Sequence, residues 1–368
     1  TLDLGSLSTI GLATADINVG AVAGQTAVLS INGGSITART IYVGSQGNGT
    51  LNVSGNPTLT ANAGLSGGLI VGYQGSSVGT LNQSGGTIAV NNNFVIAGWQ
   101  GSSKGTINIS GGVLKTSGNT AGANRRMHFG WDTVNNTGTM NMSGNAQVIV
   151  NENNISGNNG FIAGNVGNAT ITMADTSSLT VNATNEGTFG GLTVAYNSGA
   201  GAAATFTQSG GTVTVTSSGS LPAFVVGQLG NSNGTYTQSG GTVTVNASGA
   251  QAGLVVGYQG NAIGTYTQSG GTNTVNNNFV IAGWQGSSKG TYSISGGILQ
   301  TAGTAGPNVN RRMHFGWDNA ANQGTLNVSG TAQVITNADN AATNADGLLL
   351  GNNGTGVLNI SGGTITVN

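Results

Sequence analysis

Chemically active side chains are scarce in this chain of 368 residues, so the few that gather are easy to find. It holds nine acidic residues, eight Lys and Arg, two His and no Cys. The carboxylates fall at Asp3, Asp16, Asp132, Glu152, Asp175, Glu186, Asp318, Asp339 and Asp346. Cleaving a glycan by acid–base chemistry needs two such groups facing one bond, or one backed by a base or Ca²⁺. These acids do not recur at matching positions of neighbouring repeats, and the Asp-bearing G-G-x-G-x-D motif that binds Ca²⁺ is absent. The expectation is a protein that is not an enzyme, with no catalytic residue, no metal and no cofactor.

One cluster stands out. Arg125 to Asp132 reads RRMHFGWD, and Arg311 to Asp318 repeats it. Together the copies hold both His and half of the Lys and Arg. Arg126 and Arg312 could fork onto an anion beside the faces of Trp131 and Trp317. The same residues also fit a local role, with an Arg–Asp ion pair and a core-like Met/Phe/Trp alternation filling a corner. Aromatic residues recur at Tyr73, Trp99 and Trp131, and again at Tyr258, Trp284 and Trp317. Facing outward, these rings would form a strip for sugars; facing inward, they would form a packing ladder. The apolar triplet before each one does not alternate, so both arrangements satisfy the spacing. Ranks such as Thr235-x-Thr237 and Thr265-x-Thr267 add a third option, an array that orders water as ice-binding solenoids do, or simply Thr ladders that stabilise a sheet.

The elements that must position these groups are repeats. Asn91 to Gly105 reads NNNFVIAGWQGSSKG, and Asn276 to Gly290 is identical. The offset between the copies divides the chain into tandem halves, 1–185 and 186–368. Within each half lies a shorter unit of roughly 30 residues, a length typical of solenoid repeats. An apolar triplet and a Gly turn lead into G-T-x-x-x-S-G-G, followed by alternating Thr and Val. Its Thr recurs at 50, 80, 106, 139, 170, 205, 235, 265, 291 and 325, with spacings of 26 to 35. Strands that keep register while turns vary are the mark of a solenoid. The pattern predicts an all-β, single-stranded parallel β-solenoid of about a dozen coils, right-handed by the crossover preference, with three short strands per coil. At ~4.8 Å per coil it would be a rod of about 55–60 Å. In Thr106 to Ser110, Ile107 and Ile109 should face inward. The Gly pairs at 85–86, 111–112, 210–211, 240–241, 270–271 and 296–297 should turn the corners.

The G-T-x-x-x-S-G-G units resemble the β-strand repeats of bacterial autotransporter passengers and related Gly/Asn/Thr-rich surface proteins. That resemblance implies a parallel β-helix at or outside the cell surface and carries no catalytic residue with it.

Composition narrows the partners. Gly is 68 of 368 residues, charged residues are 5% and net charge is −1. Eight dispersed cations make no nucleic-acid footprint, and no apolar run reaches the ~18 residues of a membrane helix. The absence of Cys suits a secreted chain. Solenoids need polar end caps, yet Thr1-Leu2-Asp3-Leu4 and Gly362 to Asn368 read as ordinary strands. Two explanations fit, a fragment of a longer solenoid or copies that stack; the expectation is the second, self-association, head to tail, through Thr1, Leu2, Leu4, Leu7 and Ile10 at one end and Leu358, Ile360, Ile365 and Val367 at the other. The alternative is an adhesin that binds polysaccharide through the aromatic strip.

Overall fold

In the computed structural model, the described residues are 2–3, 9–12, 14–62, 67–155, 158–183, 191–196, 203–219, 221–248, 253–303, 311–337 and 347–368, with 2–3 and 158–159 described by their backbone alone. They form 38 strands and no helix. The chain is an all-β parallel solenoid of about 11 turns, with a repeat of about 30 residues and three sheets. It divides into two units, Thr1–Thr184 and Asn185–Asn368.

Each unit is built in one way. A coil places one strand in each sheet: Lys104–Ile109 lies in the first, Val113–Ser117 in the second and Val95–Ala97 in the third. Within Thr1–Thr184 the first and second sheets hold seven strands and the third holds six; within Asn185–Asn368 each sheet holds six. Pairing is parallel and sets like on like. Thr50, Thr80, Thr106, Thr139 and Thr170 are partners in series, as are Thr205, Thr235, Thr265, Thr291 and Thr325.

Alternation fixes what each strand buries. Ile107 and Ile109 are buried while Thr106 and Asn108 lie between core and solvent, as the two-residue period requires. The outward Asn rank is a hydrogen-bonded ladder. Asn82 Nδ2 donates to Asn52, Asn108 to Asn82 and Asn141 to Asn108, at 2.8–2.9 Å. Of the Gly pairs at two successive corners, it is the second member that has positive φ, 67° at Gly86 and 81° at Gly112. The first is there for space, since a Cβ on Gly85 would stand 2.3 Å from the Gly55 carbonyl oxygen of the coil below.

The second unit carries a polar ladder inside its core. Tyr236, Tyr266 and Tyr292 are fully buried and stack at centroid distances of 4.8 and 4.5 Å. Each hydroxyl donates to a glutamine of the coil below: Tyr236 to Gln208 at 2.8 Å, Tyr266 to Gln238 at 2.9 Å and Tyr292 to Gln268 at 2.8 Å. Asn273 donates to Tyr292 at 3.1 Å. The glutamine amides in turn donate to corner carbonyls, as Gln268 does to Ile298 at 3.0 Å. A buried polar network of this kind is favourable only when its members find partners. In the first unit Ile107 stands where Tyr292 stands in the second, and Gln83 Oε1 is buried without a partner.

Candidate functional site

The third sheet explains why its triplets do not alternate: it is covered on both faces. In the first unit Met127 and Phe129 point into the coil, and Phe129 meets Phe161 at 5.0 Å. The other face carries Tyr42, Ile70, Ile96 and His128 in register. The aromatic column lies over that outer face. Tyr73 contacts Tyr42 at 5.4 Å and Trp99 at 5.0 Å, and Trp99 stacks on Trp131 at 5.3 Å with planes 6° apart. Trp131 also stacks on His128 at 4.5 Å, and Phe94 closes against both. In the second unit Tyr258, Phe279 and Trp284 cover Val225, Val255 and Ile281, with Trp317 packed alongside. Trp284 and Trp317 repeat the stack at 5.4 Å and 4°.

The column is therefore outside the coil, yet it is a packing ladder. Indole planes nearly parallel at these distances oppose their faces, so the surfaces a sugar ring would use are largely taken by neighbours. Tyr73, Trp99 and Trp131 are half-buried, whereas Tyr258 and Trp284 are buried. One asparagine per unit pins the column's backbone. The Asn136 amide donates to the carbonyls of Trp99 and Trp131, and Asn322 to those of Trp284 and Trp317. Sequence reasoning passed over Tyr42, Phe94 and this asparagine pair; the recurrence of the asparagines, each five positions after a Trp of the column in its own half, was the available signal.

The charged members of the cluster separate. Arg125 is buried, and its guanidinium donates to the Asn92 side-chain oxygen at 3.2 Å and to the Thr120 carbonyl. Burial lowers its pKa. Arg126 lies on the same strand face as His128 and is 8% exposed; Arg312 is half-buried. Burial, reinforced by the positive charge of Arg126, holds His128 well below the usual histidine range, so the ring is neutral beside Trp131. Asp132 is exposed in a left-handed turn, φ 82°. No group of three or more His, Asp or Glu able to hold a metal occurs among the described residues.

At the end of the second unit the last coil is uncovered. Ile360 and Val367 are 58% and 55% exposed, although Val328, the register partner of Ile360, is 1% exposed and Thr336, the partner of Val367, is buried. Leu358 and Ile365 are half-buried. In the first unit Ile10 is half-buried and Leu2 pairs with Leu29; Thr1, Leu4 and Leu7 lie outside the described residues.

A second feature belongs to the first unit, a polar cleft of about 560 Å³ on the corner between the second and third sheets, lined largely by asparagines. No family model matches the chain, nor does any curated protein or solved structure.

Proposed function

We propose that the chain is an extracellular or cell-surface structural solenoid whose copies stack coil on coil into a filament. The observation that carries the reading is the like-on-like parallel register by which the coils of a unit stack, each one a template for an equivalent coil. In the coil Leu348–Val367, Gly356, Leu358, Asn359 and Ile360 sit on Gly324, Leu326, Asn327 and Val328. Asn359 donates to Asn327 at 2.8 Å, which leaves its own oxygen to receive the next rung. A further coil of the same sequence would supply that rung, cover Ile360 and Val367, and satisfy the open strand edge by the strand addition seen throughout both units. Near-zero net charge opposes this little. A contact between unlike ends does not close on itself, so it propagates.

The test is electron microscopy and sedimentation of the full chain at micromolar concentration, beside an Ile360→Lys/Val367→Lys variant. Thin filaments from the parent and short particles from the variant support stacking. Monodisperse particles from both, or filaments unaffected by the lysines, refute it.

A further inference from the structure

We infer that the asparagine cleft of the first unit is a binding site for a neutral oligosaccharide, separate from both the aromatic column and the stacking face. Its origin is a difference in corner length. Between Asn91 and Val95 the chain turns in three residues, whereas the next coil takes six, at 118–123. A short corner beside a longer one leaves a notch, and the cleft spans four successive coils, from Asn62 to Asn153.

The floor is held before any ligand arrives. Asn92 takes φ 55°, and its side-chain oxygen accepts from the Thr120 amide at 3.1 Å and from the buried Arg125 at 3.2 Å. Along the cleft Asn91 donates to Asn62 at 2.6 Å and the Ser117 hydroxyl donates to Asn91 at 2.6 Å. These bonds orient the amides without exhausting them, because a primary amide has two N–H donors and two carbonyl lone pairs. Glu152 gives one oxygen to Lys115, at 2.8 Å, and that cation offsets its charge while the second oxygen remains as an acceptor. The wall thus offers amide donors, amide acceptors and one carboxylate oxygen, the set that matches vicinal hydroxyls. Coils repeat at ~4.8 Å, close to the length of one sugar in an extended glycan, so each coil can address one residue of the chain. No aromatic ring lines the cleft, which points to recognition through hydroxyls rather than ring faces.

The experiment uses the full chain and titration calorimetry with four probes: xylohexaose, cellohexaose, mannohexaose and an oligogalacturonide of equal length. Binding of at least one neutral hexaose is expected, weakened tenfold or more in Asn119→Ala/Asn153→Ala and in Glu152→Gln. Asn119 and Asn153 are exposed, so the fold, checked by circular dichroism, should survive. Trp99→Phe should leave affinity unchanged. The inference fails if no neutral hexaose binds at millimolar concentration, if the oligogalacturonide alone binds, or if Trp99→Phe abolishes binding that the cleft variants retain. Filament formation is read separately on the same samples, so loss of one result leaves the other standing.

Discussion

Replacing Tyr266 with Phe removes a single oxygen from the middle of the buried tyrosine ladder and leaves the ring stack intact. The hydroxyl it removes is the donor to Gln238 Oε1, at 2.9 Å. Tyr266 is fully buried and Gln238 equally so, so water cannot replace the lost donor. A neutral hydrogen bond is worth about 1 kcal/mol net, and an acceptor left buried and unsatisfied costs about 1–3 kcal/mol. The expected loss is therefore about 2 kcal/mol, the middle of that range. Because solenoids unfold in units whose stabilities add between neighbours, a global midpoint alone would dilute the effect. The assay is hydrogen exchange of the strands Asn233–Gln238 and Ile263–Gln268 alongside urea unfolding. The companion variant, Gln238→Ile with Tyr266→Phe, replaces both partners; Ile109 and Ile294 already occupy the equivalent position in other coils. The double variant should recover part of the loss. A cost of Tyr266→Phe below about 0.5 kcal/mol, or a double variant no better than the sum of its parts, would refute the claim that the ladder is bonded rather than merely stacked.

The same ladder predicts alkaline sensitivity. Burial raises the pKa values of Tyr236, Tyr266 and Tyr292 well above the usual tyrosine value, so below pH ~10 they do not affect the balance; above it the unfolded chain ionises first and stability falls by about 1.4 kcal/mol per pH unit for each tyrosine. Absorbance at 295 nm should show these three ionising together with loss of circular dichroism, and ordinary titration near pH 10 in an intact fold would contradict it. His128 acts at the other end of the scale: its depressed folded pKa means that stability is full above the unfolded value of ~6.5 and declines as pH falls below it. His128→Ile, matching Ile96 and Ile162 in the same register, should flatten the dependence of unfolding midpoint between pH 7 and 5; an unchanged slope would show that the acid response lies elsewhere.

The coil was legible in the sequence because its signals are local. The Gly-Thr pair, the two-residue alternation of Ile107 and Ile109 and the corner glycines each report on a few residues, and stacking in register multiplies them. The aromatic column was located but not oriented. Its orientation depends on the outer face of a strand such as Val95–Ala97 being buried as thoroughly as the inner one, and burial on both faces erases the alternation that would have indicated a side. The Tyr–Gln ladder was there to be read in the repeated Y-x-Q spacing, which places both side chains on one strand face. The cleft was not, because it arises from a length difference between corners of adjacent coils, a comparison that no single segment contains.

The like-on-like register has a genetic consequence. Asn82 lies 26 residues from Asn108 and 30 from Asn52, and the three meet as equivalents. Excising Asn82 to Ile107 would set Asn108 on Asn52 and Ile109 on Val53, pairings of the kind already present where Asn82 meets Asn52 and Ile31 meets Val53. Misaligned recombination between repeats would therefore shorten or lengthen such a protein by whole coils without disturbing the contacts on either side of the joint. The tandem halves would be one outcome of that process, and the number of coils is a quantity that selection can adjust separately from the fold.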